Sequence, residues 1–110
     1  MMKLSLSPAA AGLLRALLGR GGINRDRILL TEFHSTDWHS LTFVGERHEI
    51  ALRVPPPDAD QLAGRLCEGL AEAEFCIPGQ IVADIGLQRE PLHNADGSVV
   101  LQIEALTIAE

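Results

Sequence analysis

The segment ILLTEFHSTDWHSLTFVGERHEIALRV, residues 28–54, decides the fold. Its apolar residues recur at every second position, the period of a strand whose side chains alternate between two faces. The pattern divides into three antiparallel strands, 28–34, 37–44 and 47–54, joined at Ser35-Thr36 and at Gly45-Glu46. A two-residue loop with Gly first suits a tight hairpin. That loop sets Val44 against Arg47, Phe43 against His48, Leu41 against Ile50 and His39 against Leu52. The earlier loop sets Leu30 against Leu41 and Glu32 against His39. Both registers gather Ile28, Leu30, Leu41, Phe43, Ile50, Leu52 and Val54 on one face, so the two turns agree. Thr31, Trp38, Ser40, Thr42, Glu49 and Arg53 fall on the other.

The flanking segments switch to helical signals. Ser7 followed by Pro8 reads as a capping hydroxyl and a first helical residue. The helix predicted from there carries Leu13, Leu14, Leu17 and Leu18 as its apolar stripe and stops at Gly19, Gly21 and Gly22. Pro55-Pro56-Pro57 ends the strand ladder, because proline has no N–H to give it. Asp58 and Gln61 have the spacing of a capping box for a second helix, on which Leu62, Ala63, Leu66 and Leu70 recur at helical intervals. Two further strands, 81–89 and 98–108, flank Asn94-Ala95-Asp96-Gly97, a hairpin signal in which Gly97 takes the left-handed position. The predicted architecture is α+β: a two-layer sandwich of order α-β-β-β-α-β-β, with an antiparallel five-stranded sheet and two helices on one face. Residues 1–110 make one domain. Leu41 and Leu66 are expected in its core.

Composition narrows the function classes. Nine Lys and Arg stand against fifteen Asp and Glu, for a net charge of −6. An acidic chain without a basic run repels phosphate backbones, so nucleic acid is not an expected partner. No apolar run approaches the length of a membrane span. Lys3 and the apolar stretch Ala9–Leu18 faintly resemble an export signal, but Arg15 interrupts the stretch and no small-residue cleavage site follows. The expected location is cytoplasmic. Cys67 and Cys76 form no CxxC pair and read as small buried hydrophobes in a reducing compartment.

Polar chemistry concentrates at Glu32, His34, Asp37 and His39. A hairpin turning at Ser35-Thr36 projects all four from one face. Mixed imidazole and carboxylate ligands suit a divalent metal such as zinc, manganese or non-haem iron. Glu32 with His39 also has the composition of an acid–base dyad or of a buried, satisfied pair, and all four residues suit a polar hairpin end that meets water. His48, opposite Phe43, is expected to cap the core or to hydrogen-bond locally. Trp38 and Arg53 are expected as cross-strand neighbours on the polar face, either as a cation–π pair worth ~0.5–1 kcal/mol or as interface anchors. Arg20, Arg25 and Arg27 surround the glycine loop, where they pair with acidic surface or hold an anion. No nucleophile elbow, phosphate loop or zinc spacing occurs.

These features favour a small non-catalytic interaction or regulatory module without a cofactor, homodimeric or bound to another protein. The alternatives are a small metal-dependent enzyme using Glu32, His34, Asp37 and His39, and a small-ligand-binding domain with a pocket between helix and sheet.

Overall fold

The computed structural model describes residues 6–110. Helix α1 spans Pro8–Leu18. The Ser7 hydroxyl accepts from the Ala10 N–H at 3.1 Å, so the serine–proline start forms as the sequence predicts. Ala9, Ala10, Leu13 and Leu17 make its buried stripe, and two short 3-10 turns lead into the sheet.

The sheet has five antiparallel strands: β1 Leu29–His39, β2 Val44–Val54, β3 Gln80–Leu87, β4 Leu92–His93 and β5 Val99–Ala109. Helix α2, Ala59–Cys67, lies between β2 and β3 in sequence. Along the sheet the order is β1-β2-β5-β3. β4 also pairs with β5, through Leu92–Val100 and His93–Val99. Since β2 fills the other side of β5 from Val99 to Ile108, β4 continues the β3 edge.

The α+β class and an antiparallel sheet of five strands match the sequence reading, but the strand bounds and the expected order α-β-β-β-α-β-β do not. Two strands precede α2 rather than three, and the fifth strand is the short β4. The expected strands 28–34 and 37–44 are one continuous strand, β1, and Ser35-Thr36 is not a turn. The chain reverses at Ser40–Phe43 instead. There the Ser40 N–H donates to the Phe43 carbonyl at 2.9 Å, and the Ser40 hydroxyl accepts from the Phe43 N–H. Leu41 sits at the tip, fully exposed, rather than in the core. Phe43 is likewise exposed. Gly45 is not a turn residue either. It pairs with Trp38 on one side and Ile108 on the other, and a Cβ there lies only 1.9 Å from the Thr107 carbonyl oxygen. Glycine is required for close approach of backbone, not for a turn.

Two bulges adjust the edges. One between Leu30 and Glu32 leaves Thr31 unpaired, its hydroxyl donating to the Ala51 carbonyl at 3.1 Å. The other falls between Val82 and Asp84. The 94–97 loop forms as expected, with Gly97 at φ 89° and its N–H bonded to the Asn94 carbonyl. The expected capping box does not form. Asp58 is left-handed at φ 62°, and its side chain caps no N–H.

β2 and β5 align their buried side chains on one face: Ile50, Leu52 and Val54 beside Val99, Leu101, Ile103 and Ala105. Leu13 and Leu17 of α1 and Leu62, Ala63 and Leu66 of α2 join the same core. Burying each leucine contributes about 1.5–3 kcal/mol. Among the described residues, no helix covers the opposite face of the sheet. Cys67 is half-buried, but Cys76 is exposed, contrary to its expected place inside.

Leu66→Ala should lower stability by about 2–5 kcal/mol, the cost of emptying a buried leucine site. Leu41→Ala, at the solvent-exposed tip, should stay within about 0.5 kcal/mol of the parent. Urea melts of both variants check the placement.

Candidate functional site

A continuous β1 separates the four predicted ligands. Past the Thr31 bulge, Glu32 pairs with Ala51 and His34 with Glu49, while Asp37 pairs with Glu46 and His39 with Val44. Alternation puts Glu32 and His34 on the open face, and Asp37 and His39 on the face that carries the helices. Among the described residues, no group of three or more His, Cys, Asp and Glu side chains is arranged to hold a metal ion. Glu32 and His39, expected opposite each other, stand seven positions apart on one strand.

Trp38 and Arg53 both lie on the open face but are not neighbours. Trp38 pairs with Gly45 and Arg53 with Leu29, so eight positions of β2, about 27 Å at ~3.4 Å per residue, separate them. Arg53 instead bonds the Asp96 carboxylate at 2.5 Å. Asp96 also accepts from the Ser98 hydroxyl and N–H. These Ser98 bonds, with Arg53 adding to them, hold the Asp96 carboxyl down at about 2. Trp38 occupies one row across the sheet with Gly45, Ile108 and Ile81. That row gives the open face an apolar end.

The buried polar centre is His48, which has no exposed surface. Its Nδ1 lies 2.7 Å from the Ser35 hydroxyl and its Nε2 2.8 Å from the Thr107 hydroxyl. The Phe33 ring meets the imidazole edge-on at 5.9 Å. Three strands are thereby tied through one ring. A neutral imidazole donates from one nitrogen and accepts at the other, and either hydroxyl takes either role. Burial pushes the His48 pKa below its ordinary value, with the Glu46 carboxylate opposing. Ser35 and His48 have the spacing of a nucleophile and its base. The imidazole is sealed from solvent, however, and a substrate has no approach to it. The sequence reading expected His48 to cap the core, but opposite Phe43. Its phase with Ile50, Leu52 and Val54 was the available signal for burial.

A shallow cleft of about 240 Å³ opens on the uncovered face, with Glu32, Glu49, Gln88, Arg89 and Gln102 around Ala51. The small Ala51 side chain leaves the depression. Gln88 reaches Glu49 across it at 3.5 Å. The Gln102 side-chain oxygen beside it is buried without a hydrogen-bond partner.

Two of the three arginines flagged around the glycine loop bond to backbone carbonyls. Arg20 donates to the Leu66 carbonyl at 3.2 Å and the Glu68 carbonyl at 2.5 Å, and its guanidinium lies 5.9 Å from the Phe75 ring centroid. Arg27 donates to the carbonyls of Pro55 and Pro57.

Comparison with protein-family models, with curated proteins and with solved structures found no significant match. No described helix is long and apolar enough to cross a membrane.

The buried imidazole has a definite pH signature. Between 6.5 and the lower folded value, the unfolded chain binds a proton at His48 that the folded chain does not. Its contribution is therefore present above pH 6.5 and lost as pH falls through that window. Asp96 acts in the same direction at lower pH, between its ordinary 3.8 and about 2. Urea melts from pH 7.5 down should show stability falling below 6.5, and a His48→Asn variant should lack that first decline.

Proposed function

We propose that this domain is a non-catalytic interaction module that works by association through its sheet, as a homodimer. The observation that carries the reading is the free edge of β1. This strand is eleven residues long and, among the described residues, pairs only with β2. It contains no proline and no lysine, and of the charges that guard an exposed edge it carries only the carboxylates Glu32 and Asp37. Both edge strands are bulged, but the bulge of β1 lies near its start and leaves Glu32–His39 regular. That of β3 leaves no regular run longer than four residues, and a segment containing Pro91 follows Leu87. The apolar row Trp38, Ile108 and Ile81 adds side-chain surface near one end of β1. The separation of Glu32 and His34 from Asp37 and His39 leaves the metal-enzyme alternative without a shared ligand set.

A second reading, binding of a small polar ligand, draws on the cleft around Ala51. It differs from the pocket expected between helix and sheet, because the cleft lies on the uncovered face.

Light scattering at micromolar concentration should give about 24 kDa, twice the 11.9 kDa chain. A single species near 12 kDa across the micromolar range removes the association reading and leaves the cleft as the better candidate.

A further inference from the structure

We infer that a second copy of this chain lays its own β1 antiparallel along the free edge, centred on Thr36, so that two five-stranded sheets become one of ten strands. The inference rests on the association reading above and names its occupant and register.

The backbone pattern of the hairpin fixes which groups are free. Ser40 and Phe43 are a hydrogen-bonded pair. Antiparallel pairs alternate between bonded and non-bonded. Trp38, Thr36 and His34 therefore aim their backbone groups at β2. Phe33, Ser35, Asp37 and His39 aim theirs out of the sheet edge. From Glu32 to His39 the register runs without a slip, so this stretch is a regular template.

Self-pairing across a two-fold axis must set like faces together, which places one residue of β1 on the axis. Centring on Asp37 opposes two carboxylates. Centring on His34 opposes two imidazoles and sets Asp37 against the bulge at Thr31. Centring on Phe33 reaches that bulge after three residues. Centring on Ser35 sets the Phe33 ring against Asp37. Centring on Thr36 avoids all of these. It sets Phe33 against His39, His34 against Trp38 and Ser35 against Asp37 of the second copy. Seven consecutive residues pair, ring meets ring and hydroxyl meets carboxylate, the kinds of cross-strand pair that stabilise a sheet. All four outward-facing residues of each strand then exchange backbone hydrogen bonds.

The exposed apolar side chains fit the same register. Leu41 is fully exposed and Phe43 and Leu29 are 53% and 44% exposed. Centring on Thr36 carries each hairpin tip alongside Thr31 of the second copy, next to its Leu29 and Leu30. Residues left in water at the two ends of β1 are brought to each other.

Thr36 is exposed, so it tolerates substitution without loss of the core. Its backbone groups face β2, so Thr36 meets Thr36 as a non-bonded pair, with Cα atoms about 4.5 Å apart, inside the range a disulfide spans. In a background with Cys67→Ser and Cys76→Ser, Thr36→Cys should oxidise to a covalent dimer, and His34→Cys should not. Thr36→Lys brings two ammonium groups together on the axis. It should raise the dimer dissociation constant at least tenfold while leaving the circular dichroism spectrum unchanged. Hydrogen exchange of the parent should protect the amides of Phe33, Ser35, Asp37 and His39 as concentration rises. A parent that is monomeric by light scattering overturns both the association reading and this inference. A dimer in which Thr36→Cys stays uncrosslinked, or in which those four amides exchange freely, overturns only the edge and register assigned to it.

Discussion

The ladder between β2 and β5 is the constraint on which the other elements depend. It runs from Gly45–Ile108 to Val54–Val99 without a slip. Because side chains alternate, one unbroken register assigns both strands' faces at once. His48, Ile50, Leu52 and Val54 fall on the same side as Val99, Leu101, Ile103, Ala105 and Thr107. A shift of one residue would turn one strand's whole set to water. The helices have a single apolar surface to cover because this ladder leaves no alternative. β1 and β3 attach to either side of it, and each carries its bulge in an edge strand, where irregularity does not disturb the centre.

The far end of this ladder is held by polar groups rather than hydrocarbon. His48 joins Ser35 and Thr107 across three strands, and Ser7 donates from the start of α1 to the Glu46 carboxylate at 2.8 Å. A polar network inside a fold stabilises only when its members are satisfied. Here both imidazole nitrogens have a hydroxyl partner. The same geometry makes the ring sensitive to protonation, because the charged form loses solvation that the hydroxyls replace only in part.

The local signals were legible in the sequence. Ser7-Pro8 starts α1, Gly97 closes its loop in the left-handed region, and the α2 stripe through Leu62 and Leu66 is buried. Residues 28–54 were legible as strands facing a core on the side of Ile50, Leu52 and Val54. Their turn was not. Ser35-Thr36 is polar, the alternation of Leu41 and Phe43 makes 40–43 read as strand, and Gly45 carries the local signature of a hairpin. What demands glycine there is the Thr107 carbonyl, sixty-two residues along the chain. Once the turn moved, Leu41 and Phe43 left the core and the Glu32, His34, Asp37, His39 set divided between two faces. The bulge at Thr31 shifted the parity of Leu29 relative to the residues beyond it, and no composition signal marks a single inserted residue. Trp38 and Arg53 kept their expected face but not their proximity, because proximity depended on the turn.

Arg20 adds a consequence for how the molecule opens. Its guanidinium binds two carbonyls at the end of α2 and lies beside Phe75 in the chain that follows. Arg65 returns the contact from α2 to the Gly21 carbonyl. The last turn of one helix is thus completed by the loop after the other. Neither end can fray alone, since loosening the glycine loop uncaps α2 and unwinding α2 strips the loop of its anchors. The two segments form one unit of local unfolding, although more than forty residues separate them along the chain.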